Sequence, residues 1–100
     1  MTMTTSKLEL TPQELEKLRD ISIFDILHIH NKGRRVGIPC PVHSGRNNNF
    51  NLYPNNSYFC FKCGACGSNG IDLLRDLNGY PKKMSSHQFF EVVEQLIHYL

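Results

Sequence analysis

Two short motifs, Cys40-Pro41-Val42-His43 and Cys60-Phe61-Lys62-Cys63, stand sixteen residues apart and constrain this chain more than anything else in it. Each encloses two residues, the spacing of a tight knuckle that turns two side chains from one bend toward a common point. Two knuckles on neighbouring hairpins complete a tetrahedron of three thiolates and one imidazole, the closed ligand set of a structural zinc site. Four strong ligands leave no open position for water, so a catalytic zinc is not expected. Gly64 directly after the second knuckle suits a backbone conformation that a side chain would penalise. An Asn- and Gly-rich ribbon buries little apolar surface. Structural zinc supplies on the order of 10–16 kcal/mol of apparent binding energy, comparable to the whole stability of a small domain.

Cys66 leaves alternatives open. It continues a Cys60-x2-Cys63-x2-Cys66 run that superficially resembles a ferredoxin cluster sequence, but no closely following second-cluster cysteine is present. Cys66 is read as a free thiol or one just outside the ligand set; replacement of His43 on zinc by Cys66 is the other possibility. Two disulfides would need a secreted context. The start, Met1-Thr2-Met3-Thr4-Thr5-Ser6, lacks a basic stretch followed by an apolar one, and no apolar run approaches the roughly 18 residues of a membrane span. A cytoplasmic, non-membrane protein is therefore expected.

With 100 residues there is room for one domain. The predicted fold class is α+β, a small antiparallel zinc-ribbon sheet flanked by N- and C-terminal helices. Residues 1–31 form a helical part, 32–70 the ribbon and 71–100 the C-terminal helices. Thr11-Pro12-Gln13-Glu14 is a capping box that turns Leu15 and Leu18 inward, and Ser22 starts a second helix whose face carries Ile23, Ile26, Leu27 and His30. Strands are predicted at Arg34 to Ile38, Phe50 to Tyr53 and Tyr58 to Phe61, the last two joined by the turn Pro54-Asn55-Asn56-Ser57. Ile71, Leu74 and Leu77 stripe a third helix that Asn78-Gly79 stops. Ser85 or Ser86 caps a last one, striped by Phe89, Val93, Leu96 and Leu100. Histidines 28, 30, 87 and 98 are read as structural or solvated.

The net charge of +2 conceals a segregation. From Ile26 to Ile71 there are five basic residues, Lys32, Arg34, Arg35, Arg46 and Lys62, and no Asp or Glu. All nine acids lie in the flanks. A positive field around a metal site is the footprint of a surface that meets phosphates. Single-strand binders combine cations that follow the backbone with aromatic faces on which bases stack. Arg34, Arg35, Arg46 and Lys62 are the phosphate candidates, with one of Arg34 and Arg35 reaching the strand. Tyr53 or Tyr58 is the expected exposed stacking residue. Asn47, Asn48 and Asn49 form a polar loop whose amides also suit base edges.

The knuckle Cys40-Pro41-Val42-His43, Arg46, Phe50, the run Tyr58-Phe59-Cys60-Phe61-Lys62-Cys63-Gly64-Ala65-Cys66-Gly67 and Ile71-Asp72-Leu73-Leu74 together resemble the N-terminal zinc-binding domain of bacterial-type (DnaG-like) DNA primases. The likeness covers roughly Leu18 to Leu96. It implies zinc on Cys40, His43, Cys60 and Cys63, and a role in selecting single-stranded template DNA for primer synthesis by a separate catalytic domain. Implied partners are therefore the template strand, a primase catalytic domain or polymerase, and a replicative helicase. Asn47-Asn48-Asn49 departs from the family's usual Thr-Pro-Ser-like stretch, and Cys66 stands where the family often has His or Gly.

Clustered carboxylates to hold magnesium are not evident in the sequence, so the chain alone is not expected to polymerise nucleotides. Asp72 and Asp76 lie one helical turn apart and read as a solvated face with one Asp72–Arg75 pair. The competing functional readings are a zinc-stabilised module that docks a replication partner, and an iron–sulfur protein.

Overall fold

The computed structural model describes residues 11–30 and 33–100. Thr11 caps α1 (Pro12–Arg19): its side chain accepts the Glu14 N–H, and the Glu14 carboxylate accepts the Thr11 N–H in return. Ser22 caps α2 (Ile23–Ile26), a single short turn. His30 therefore lies beyond the helix and is exposed, whereas Phe24, outside the expected stripe, is buried.

Four strands follow: β1 (Val36–Ile38), β2 (Phe50–Leu52), β3 (Tyr58–Cys60) and β4 (Cys66–Gly67). They form one antiparallel sheet in the order β1-β2-β3-β4. The α+β class stands, but each expected strand is trimmed and β4 was not foreseen. Two residues are too few for a sequence period, and β4 exists because the second knuckle folds the chain back onto β3. Arg34 and Arg35 precede β1, and Phe61 falls in the knuckle turn.

Helix α3 (Gly70–Leu77), capped by Asn69, and α4 (Ser86–Ile97), capped by a Ser85–Gln88 box, complete the fold. Strand alternation puts Phe50, Leu52, Tyr58 and Cys60 on the inner face of the sheet. They join Leu18, Ile23, Leu73, Val92, Val93 and Leu96 in one core. Leu73 and Val92 are fully buried though absent from the expected stripes, while Leu100 is 71% exposed because α4 ends at Ile97.

Asn56, in the β2–β3 turn, ties the sheet to the N-terminal helices. Its φ of 75° is left-handed, a conformation Asn tolerates better than most residues. The side chain accepts the Ile23 N–H at 2.8 Å and donates to the carbonyls of Ile21 and Arg19 at 3.0 and 3.3 Å. The expected simple turn is thus also a clamp.

The reading of Asp72, Arg75 and Asp76 as a solvated face is corrected. The side chains of Arg75 and Asp76 are only 8% and 11% exposed. Arg75 donates from Nε to Asp76 at 2.9 Å, from Nη1 to Asp72 at 3.2 Å, and from Nη2 to the Cys66 carbonyl at 3.1 Å. Burial works against its charge, but the two carboxylates outweigh that and hold its pKa above the ordinary value. The network turns inward because β4 covers α3, which a helix period cannot reveal.

Candidate metal centre and its surface

The two knuckles bring Cys40, His43, Cys60 and Cys63 together, with their ligand atoms all within 4.8 Å of one another. Cys40 Sγ lies 3.8 Å from Cys63 Sγ, and Cys60 Sγ lies 3.7 Å from His43 Nδ1. A tetrahedral ion about 2.3 Å from each sulfur and about 2.0–2.1 Å from the nitrogen sets edges of about 3.8 Å (S–S) and 3.6 Å (S–N). The donor set fits zinc in both chemistry and size.

Local backbone geometry explains the convergence. In the second knuckle the Gly64 N–H donates to the Cys60 carbonyl at 2.9 Å, and Gly64 adopts φ of 80°, as the sequence suggested. The first knuckle closes through the Gly45 N–H on the Cys40 carbonyl at 3.0 Å. A Cβ on Gly45 would sit 2.6 Å from His43 Nε2, so a side chain there would displace the imidazole.

The thiols are prepared unequally. Burial pushes the Cys40 thiol up to about 11, against the N–H groups of His43 and Val42. Burial also works against a Cys60 thiolate, but the N–H groups of Cys63 and Lys62 donate to its Sγ at 3.4 Å and, with the neighbouring cysteines, bring it below its ordinary value. Zinc is the domain's structural cofactor, and its binding must displace the protons that burial favours.

Cys66 lies outside this group, on β4, with its Sγ 3.7 Å from Lys82 Nζ. Neither the substitution of Cys66 for His43 nor a cluster using the Cys60-x2-Cys63-x2-Cys66 run matches this arrangement.

The surface around the centre departs from expectation at one residue in particular. Tyr58, read as a stacking candidate, is 2% exposed. Its ring stacks on Phe50 at 5.4 Å, and its hydroxyl donates to Asp76 at 2.6 Å. Burial and the Asp76 carboxylate together hold its pKa far above the ordinary phenol value. The two-residue period puts Tyr58 on the same face as Cys60 but does not by itself say which face meets the core. Tyr53 is half-buried at the turn end of the β2–β3 hairpin, away from the knuckle. The exposed ring beside the metal is instead Phe61, at 66% exposure.

Arg34, Arg35, Arg46 and Lys62 are all exposed, and Arg35 donates from Nη1 to the buried Asn51 side chain. Lys32, the fifth cation of the acid-free stretch, lies outside the described residues. Among the described residues no helix is long and apolar enough to cross a membrane.

A family model of the CHC2 zinc finger, the DnaG-type zinc ribbon, matches residues 10–100. No curated protein and no solved structure matches the chain. Ligand order, ligand geometry and a match over nearly the whole length agree, and the chain belongs to the CHC2 zinc-finger family of DnaG-type zinc ribbons.

Proposed function

We propose that this domain holds single-stranded template DNA on the cationic face of its ribbon, for primer synthesis by a separate primase catalytic domain. One observation carries the reading: the 46 residues from Ile26 to Ile71 hold the metal ligands and five Lys or Arg but no acid. The exposed cations of that stretch attract phosphates, and zinc keeps its loops in place. Three or four phosphate contacts on a single strand give a slope of log K against log salt of about −2 to −3.

Fluorescence anisotropy of the zinc-loaded protein with a labelled oligonucleotide, titrated with salt, tests this directly. An Arg46→Ala/Lys62→Ala variant keeps its zinc and fold and loses affinity; unchanged binding refutes the patch. A primer-synthesis assay adds the second half: stimulation is expected only when a primase catalytic domain is supplied in trans.

A second reading, a zinc-stabilised module that docks a replication partner such as a helicase, is favoured by Ile97, Tyr99 and Leu100, which leave apolar surface exposed at the end of α4. A domain of that kind shows no selective single-strand binding in the same titration.

A further inference from the structure

The outer face of the sheet, opposite the core, carries a row set by strand register: Gly37 faces Asn51, Asn51 faces Phe59, and Phe59 faces Cys66. Phe61, in the knuckle just beyond β3, lays its ring edge-to-face against Phe59, with centroids 5.0 Å apart and planes at 68°. Phe59 is half-buried and fixed in the sheet, so it braces a ring that itself stands 66% in water. A lone exposed apolar side chain needs no explanation. A braced ring next to Lys62, inside an acid-free cationic stretch, has the composition of a base-stacking platform.

The neighbouring loop is tied to the backbone of Phe61. The Asn49 carbonyl accepts the N–H of Phe61 at 2.9 Å and Asn51 Nδ2 at 3.1 Å. The two residues before it, Asn47 and Asn48, are exposed. Each amide offers a donor and an acceptor side by side, the pattern that pairs with N6 and N7 of adenine. In an unpaired strand that edge is open to side chains.

We infer that Phe61 stacks one unpaired base of the bound strand and that the Asn47 and Asn48 amides read the edge of that base, favouring adenine. This rests on the single-strand reading above and names residues that reading does not use. Phe61 takes the place the sequence suggested for Tyr58, and the asparagine loop acquires a specificity role.

The test uses the zinc-loaded chain and oligothymidines of about twelve nucleotides carrying one central dA or one central dC. Phe61→Leu weakens binding of the dA probe by about five- to 150-fold. Phe61→Tyr, which keeps the π-face, stays near wild type. Asn47→Ala/Asn48→Ala abolishes the preference for dA over dC and leaves the salt slope unchanged. Zinc content and helix content are measured on every variant. Wild-type protein that captures neither probe overturns the DNA reading itself. Undiminished binding by folded Phe61→Leu, or equal loss in folded Phe61→Leu and Phe61→Tyr, overturns the stacking role alone. Equal wild-type affinity for both probes overturns the edge reading.

Discussion

Replacing Arg75 with Met separates the two descriptions of the α3 charges most sharply. An exposed helix pair contributes at most about 1 kcal/mol. Removing one partner of a buried pair costs about 3–5 kcal/mol, because the other charge stays buried without compensation. In this protein Arg75 is 8% exposed and Asp76 11%. Arg75→Met leaves Asp76 with the Tyr58 hydroxyl and Asp72 with the Ser68 N–H, and strips the Cys66 carbonyl of its guanidinium donor. The higher range therefore applies. Urea unfolding followed by far-UV circular dichroism, at fixed free zinc so that metal linkage is equal in both proteins, measures it. With an m-value of about 1–3 kcal/mol/M, a loss of about 3–5 kcal/mol lowers the midpoint by at least about 1 M. Asp76→Asn keeps much of the shape and is also destabilised, since the charge-assisted bonds from Arg75 and Tyr58 weaken. A loss below about 1 kcal/mol for Arg75→Met refutes the buried-network argument.

Two further outcomes follow from the same geometry. The pKa of Tyr58 is raised in the folded protein, so its contribution is complete below the ordinary phenol value of 10.0 and is lost as pH rises beyond it. The stability difference between wild type and Tyr58→Phe is therefore constant near pH 8 and shrinks by about 1.4 kcal/mol per pH unit above about 10; a difference that stays flat to about pH 11 contradicts the buried-phenol assignment. For the metal, Cys66→Ser retains one equivalent of zinc after dialysis, whereas Cys63→Ser loses it together with helical structure. Elemental analysis decides this, and the reverse result would move the ligand set to Cys66.

The fold was legible where a local rule sufficed. The capping box at Thr11, the cap at Ser22, a serine cap at Ser85 or Ser86 and the stop after Leu77 are written in adjacent residues, and each stands in the structure, the last cap at Ser85. The existence of β2 and β3 was legible too, since Phe50, Leu52, Tyr58 and Cys60 alternate. Which side of each strand faces inward was not, because alternation fixes relative orientation only. That single ambiguity misplaced Tyr58. The error at Arg75 and the unforeseen clamp at Asn56 share a different cause. Their partners are nine and up to 37 residues away, at Cys66 and at the N-terminal helices.

Two cysteine–histidine and cysteine–cysteine spacings thus determined the metal, its four candidate ligands and the ribbon that must enclose it, because coordination at knuckle spacing is a short-range constraint. Local charge order likewise determined that the ribbon segment carries cations and no acid of its own. Tertiary structure alone decided which ring meets water, which ion pair is dry and which turn clamps the helices. Those outcomes depend on how strands and helices cover one another, and no window of neighbouring residues contains that information.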